Sequence, residues 1–274
     1  MRVAWLTDPH FNHAHAAAWD AFHESLVAVQ PDALLITGDI SEGEDVVYQL
    51  GRLAASFAGA IYFVLGNHDF YQATIALTRR QIVDACGTEP RLTYLTNEFE
   101  IPLSQAVGLV GEDGWGDATV GDYENSPVRL ADFAHIEDFR HGDAALRKHQ
   151  LQMLGVDAAD RLRPKLEEAL QRFATVIVAT HVPPFREACW YEGHTTDDLW
   201  APFFVCGKLG ELLLKVAAQF PHRRLVVFCG HTHHPGTAQV TDNLTVVTGE
   251  AEYGTPRLTG WLDISEDGCH WSLP

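Results

Sequence analysis

Residues 60–69 read Ala-Ile-Tyr-Phe-Val-Leu-Gly-Asn-His-Asp. An unbroken apolar run gives way at once to an amide, an imidazole and a carboxylate. A run without polar alternation suits a strand covered on both faces, as in a parallel sheet packed between layers. Asn, His and Asp are poor strand formers and are costly to bury unpaired, so the strand ends at about Leu65. A turn accounts for Gly66 and Asn67. It does not account for His68 in the middle of the polar cluster.

The same pattern recurs outward from this stretch. Arg2–Thr7 ends in Asp8-Pro9-His10, and Ala33–Thr37 ends in Gly38-Asp39. Thr175–Thr180 ends in His181, and Leu225–Cys229 ends in Gly230-His231-Thr232-His233. Helical spacing over about 14–29 and 44–57 separates the first three strands, which reads as repeated βαβ units. In open α/β sheets the chemistry gathers where strands run into loops, and all five polar clusters follow a strand. Further strands are expected at 92–96 and 107–111. The segments 237–241, 244–249 and 258–264 read as an antiparallel set near the carboxyl end. Residues 112–173 read as a lid-like, helix-rich insertion in a single domain spanning 1–274. One long helix is expected within 143–173, and Pro164 should break or kink it.

Composition narrows the function classes. The chain has 274 residues, of which 46% are apolar, enough for a large globular core. The opening residues lack the pattern of a signal peptide, and no apolar stretch approaches the ~20 residues needed to cross a membrane. The five cysteines (86, 189, 206, 229, 269) form no CxxC pair. They read as reduced thiols of a cytoplasmic protein without contact to membranes. The formal charge of −18 makes long nucleic acid an improbable partner, because DNA is met by basic surfaces. A small phosphorylated substrate remains open if metal ions supply the positive charge. Nothing in the composition addresses oligomeric state.

Together, Asp8-Pro9-His10, Gly38-Asp39-Ile40-Ser41-Glu42-Gly43, Gly66-Asn67-His68-Asp69, Thr180-His181 and Gly230-His231-Thr232-His233 resemble the motifs of the calcineurin-like metallophosphoesterases. They occur in that family's order and span nearly the whole chain. The resemblance implies an α/β fold, a two-sheet β-sandwich flanked by helices, holding two divalent metal ions. By the same resemblance Asp8, His10, Asp39 and His233 hold one ion, while Asp39, Asn67, His181 and His231 hold the other. A carboxylate such as Asp39 has two oxygens and can bridge ions ~3.5–4 Å apart. A nitrogen and oxygen donor set without thiolate fits Mn, Fe, Zn or Co.

The implied activity is hydrolysis of a phosphomonoester or phosphodiester by attack of a metal-bridging hydroxide. Two dications, two carboxylates and that hydroxide leave about one net positive charge to draw in a phosphate. In the resemblance His68 is no ligand; it stabilises the phosphoryl oxygens or protonates the leaving oxygen. Asp69 either orients His68 or caps the following turn. Two departures bear on the reading. Pro9 stands where the family more often has Leu, Ser or Thr. No Arg follows Gly38-Asp39, which argues against a phosphoprotein substrate.

The segment after His181 is too aromatic for a plain connector, and Trp190, Tyr191 and His194 are candidate walls of a substrate pocket. Residues 111–117 are a second candidate border of the cleft. The competing reading is a non-catalytic metal-binding or protein-interaction scaffold on the same fold. Such a protein should have lost ligands or the motif histidine, and here every one of these positions is filled.

Overall fold

The computed structural model describes residues 1–273. Its first sheet contains β1 (Arg2–Leu6), β2 (Ala33–Thr37), β3 (Ala60–Val64) and β4 (Leu92–Tyr94), with β13 (Gly260–Ser265) and β14 (Gly268–Ser272) at one edge, in the order β14-β13-β1-β2-β3-β4. Strands β1 to β4 are parallel, and β13 joins β1 antiparallel. The second sheet is built from β5 (Ile101–Pro102), β6 (Val107–Gly111), β7 (Thr175–Ala179), β10 (Arg224–Cys229), β11 (Gly236–Thr241) and β12 (Leu244–Thr248), in the order β11-β12-β10-β7-β6-β5. Its central strands β6, β7, β10 and β12 are parallel. A short hairpin, β8 (Trp190–Tyr191) with β9 (His194–Thr195), stands apart.

Alternate residues of each central strand enter different cores, which is why the strands carry no polar face. Ala33 and Leu35, with Trp5, Ile177, Val226 and Phe228, fill the space between the sheets. Leu34, Ile36, Ile61 and Phe63 face outward into a layer with Phe22, Leu26, Leu50 and Ile82. Those partners lie on α1 (Ala16–Val29), α2 (Asp45–Ser56) and α3 (Ile75–Thr88). On the far side Val176, Val178, Leu225 and Val227 pack against Leu162, Leu166, Leu212 and Val216. After the short α4 (Asp132–His135), the helices of that layer are α5 (Ala144–Arg172) and, beyond the one-turn α6 (Ala201–Phe204), α7 (Gly207–Gln219).

Four local expectations are corrected. The strand expected at 92–96 ends at Tyr94, and Leu95–Asn97 forms a 3-10 turn. The carboxyl-terminal strands are not one antiparallel set: β11 and β12 close the second sheet, whereas β13 and β14 close the first. Helix α5 runs unbroken through Pro164. Pro164 is solvent-exposed while Leu162, Lys165 and Leu166 beside it are buried, so packing holds the helix where its backbone lacks a hydrogen bond. That burial makes the second half of α5 part of the sandwich rather than a lid. From the segment before it, α4 reaches the end of β3, where Asp132 accepts from Asn67.

Candidate metal centre

Five loops meet above the carboxyl ends of β1, β2, β3, β7 and β10, held by main-chain hydrogen bonds from loop to loop and to the segment after β6. Asp8 N donates to Gly38 O at 3.1 Å and His10 N to Asp39 O at 3.0 Å. Gly230 N donates to His181 O at 2.9 Å, and His181 N to Asp113 O at 2.8 Å. Asp8, His10, Asp39, His231 and His233 all have positive φ, between 40° and 69°. Backbone of this kind is uncommon outside glycine and concentrates at functional sites. The loops approach so closely that side chains are excluded at two points. A Cβ on Gly66 would lie 2.2 Å from Asp39 Oδ1, and one on Gly230 would lie 2.0 Å from Asp8 Oδ2.

Two groups of side chains result. Asp8, His10, Asp39 and His233 converge, with one ligand atom from each within 4.8 Å of the others; Asp39, His181 and His231 do the same. Asn67 joins the second group through Oδ1, 3.2 Å from His181 Nε2. Asp39 belongs to both groups through a single oxygen. Its Oδ2 lies 3.6 Å from His10 Nε2 and 3.4 Å from His181 Nε2, while its Oδ1 accepts from His68 N at 2.9 Å. The carboxylate therefore faces both groups with one atom rather than two.

The imidazoles are oriented from behind. His181 Nδ1 donates to Thr37 O at 2.8 Å, which leaves Nε2 free for the centre. His231 Nε2 donates to Phe203 O at 3.2 Å, which leaves Nδ1. Support of this kind from a main-chain carbonyl is typical of metal-bound histidine. His10 and His233 bring their Nε2 atoms to 3.2 Å from each other. Two nitrogens each ~2.1 Å from one ion in neighbouring positions would stand about 3 Å apart. The residues present thus fit a pair of divalent ions.

Charge in the cluster is strongly coupled. Burial opposes the charge on Asp8, but His181 and the hydrogen-bonded His233 outweigh it and bring the carboxyl to about 2. Asp39 is likewise buried, and is held well below the usual range by His181 and His68. Burial pulls the His181 imidazolium down, yet Asp39 and Asp8 hold it up at about 10. Burial prevails at His10, lowered to about 4, and at His231, lowered to about 3 with repulsion from His181 adding to it. Without metal, the two carboxylates favour a proton on His181 and, against its burial, also raise His233.

Asn67 starts a 3-10 turn over His68–Phe70 and is not on an extended strand end. Its Nδ2 donates to Asp132 Oδ1 at 2.9 Å, and Tyr71 OH donates to the same oxygen at 2.8 Å. Asp132, from α4, therefore decides which end of the Asn67 amide faces the centre. Asp69 does not orient His68. It is fully buried, with Oδ1 accepting from Ser41 N at 2.9 Å and Oδ2 from Gly66 N at 2.8 Å, so it ties two loops together. The carboxylate that faces His68 is Glu42, 3.6 Å from Nδ1. The His68 ring stacks on Tyr71 at 4.4 Å and meets His10 edge-on at 4.8 Å. Tyr253 covers the first group, with its ring 4.3 Å from that of His10 and 5.0 Å from that of His233.

Asp132 and Tyr253 escape a reading of the sequence because neither lies in a motif. Glu42 and Tyr71 lie within or beside the motifs, but nothing in their spacing tells what they face. Trp190, Tyr191 and His194 lie on the β8–β9 hairpin and line a cavity of about 400 Å³ beside the centre. None of the ligand residues lines that cavity. Within residues 111–117, Glu112, Asp113 and Asp117 are buried. Asp113 accepts from Leu65 N, Tyr94 OH, Thr96 Oγ1 and the Arg79 guanidinium. It supports the β3 loop from inside.

Comparison with known proteins gives one family. The family model described as calcineurin-like phosphoesterase matches residues 1–235. No curated protein matches the chain. Among solved structures, phosphopantetheinyl hydrolase from Mycobacterium tuberculosis is 15% identical with a TM-score of 0.67, covering 92% of this chain and 89% of its own. A dimetal phosphatase from Danio rerio is 14% identical with a TM-score of 0.64, covering 100% and 95%. GAP50, the anchor in the inner membrane complex of Plasmodium, is 12% identical with a TM-score of 0.54, covering 100% and 84%. Identities this low carry the fold alone.

Proposed function

The chain belongs to the calcineurin-like phosphoesterase family, and from that premise we propose that it is a two-metal phosphoesterase hydrolysing a small phosphomonoester or phosphodiester. The observation that carries the reading is Asp39 Oδ2, a single buried carboxylate oxygen facing both ligand groups at once. Asp8, His10, Asp39 and His233 would hold one ion, and Asp39, Asn67, His181 and His231 the other. The nitrogen and oxygen donors, with no thiolate among them, suit Mn, Fe, Zn or Co. When bound, the pair would neutralise phosphate charge and make water nucleophilic near neutral pH.

The chain's own residues supply the rest. His68 stands beside the first group, with its Nδ1 buried and 3.6 Å from Glu42. Its place beside that group suits it to stabilise a phosphoryl oxygen or protonate a leaving oxygen. Tyr71 OH donates to Asp132, so its oxygen is left to accept from His68 Nε2 at 3.4 Å. That contact, with the stacked ring, fixes the plane in which His68 acts. Asp69 keeps the Gly66 and Ser41 main chains in register and touches no reacting atom.

The competing reading is a scaffold on the same fold, as the name of the Plasmodium anchor illustrates for that protein. The filled ligand positions and the His68 ring beside the first group favour the enzyme. The test is a panel of phosphate mono- and diesters given to protein loaded separately with Mn, Zn, Ni and Mg. Turnover that disappears with chelator supports the enzyme. Metal binding without turnover on any ester supports the scaffold.

A further inference from the structure

The cavity beneath the β8–β9 hairpin is next to the second ligand group, with Phe204 between it and His231. The Phe204 ring is 4.6 Å from the ring of His231, and Thr232, between His231 and His233, lines the cavity. Its walls are Trp190, Tyr191, Trp200 and Phe204. Trp200 meets Phe204 at 5.7 Å between centroids, and Tyr191 meets His234 at 4.6 Å. Tyr191 is 61% exposed and Trp200 is 50% exposed. Large aromatic faces left to water beside a reactive centre are what a ligand would cover.

The Trp190 wall is built in. A Cβ on Gly236 would fall 2.2 Å from Trp190 Nε1, so the indole lies on bare β11 main chain that only glycine leaves open. The charged groups of the lining are Glu192 and Asp197; among the described lining residues there is no Lys or Arg. A second phosphate would meet two carboxylates and no cation, whereas a flat ring would meet π-faces.

We propose that this cavity receives the ester substituent of the substrate, and that the substituent is a planar aromatic group, of nucleobase or aryl kind, carrying no negative charge. The proposal rests on the phosphoesterase reading for the phosphate itself but is tested by binding as well as turnover. A base stacked on aromatic side chains typically gains ~1–3 kcal/mol, which corresponds to about 5- to 150-fold in affinity.

Adenosine 5′-monophosphate and ribose 5-phosphate share a phosphate and a leaving alkoxide and differ by the base. Calorimetric titration of the metal-loaded protein should give at least fivefold tighter binding for the first. Phenyl phosphate should likewise bind more tightly than 4-carboxyphenyl phosphate. Trp200→Ala and Gly236→Ala, one removing a wall and one displacing it, should each bring the first affinity ratio towards one. Equal affinities in the wild-type protein, or ratios untouched by both substitutions, overturn the proposal. Tighter binding of the base-bearing ligand without any hydrolysis retains it and removes the phosphoesterase reading instead.

Discussion

Asn67 and His68 are adjacent in sequence and have separate tasks. Asn67→Ala removes an oxygen from the second ligand group and should lower metal occupancy there. His68→Ala should leave both ions bound and the fold intact while slowing hydrolysis ~10²–10⁴-fold, the usual contribution of a positioned proton donor. The loss should be largest on alkyl esters and smaller on nitrophenyl esters, whose leaving group departs unprotonated. Metal analysis beside rates on both esters separates the two residues; a His68→Ala protein that also loses metal would make His68 a ligand. Asp132 is the residue-scale finding that the motifs conceal. Because it receives the Asn67 amide hydrogen, Asp132→Ala frees the amide to turn. Metal affinity should drop ~10–100-fold, as for other supports behind a ligand. Titration of the apo variant reads this directly.

At the scale of elements, the five strands that carry the site were legible as unbroken apolar runs ending in polar clusters. A strand buried on both sides announces itself without needing its neighbours. What surrounds the site was not legible. Asp132 arrives from a short helix, and Tyr253 from a turn near the carboxyl end, where tertiary packing decides the contact and no local pattern records it. The sheet assignment of β13 and β14 was hidden for the same reason, since alternating strands look alike whichever edge they join. The continuity of α5 depends on the buried residues flanking Pro164. Replacing this exposed proline by alanine restores a hydrogen bond to the Asp160 carbonyl and should stabilise the protein by up to ~3 kcal/mol; an unchanged or lower denaturation midpoint would show that the helix is already bent to suit it.

Over the whole molecule, the charge of −18 and the acidic cluster at the centre make metal and protons compete. His181 keeps a proton up to about 10 in the metal-free protein, against ~6.5 for an unfolded histidine. A raised folded pKa gives stability that is complete below the unfolded value and lost as pH rises towards the folded one. His10 and His231, both lowered, are neutral in folded and unfolded chains above about pH 7 and contribute no slope there. The metal-free protein should therefore lose thermal stability as pH rises from about 6.5 to about 10. The loaded protein, whose His181 carries no proton, should not show this slope. Parallel melts of the two forms across that window test the assignment. Among the described residues no helix is long and apolar enough to cross a membrane. The central claim is that Asp39 joins two ligand groups, so that activity requires two ions. Its most direct measurement is elemental analysis combined with stepwise metal titration of apo protein, followed by phosphoester turnover at each step. The account predicts two ions per chain, with turnover appearing only as the second is added and vanishing in excess chelator. Full turnover at one equivalent, or with chelator present, would contradict it.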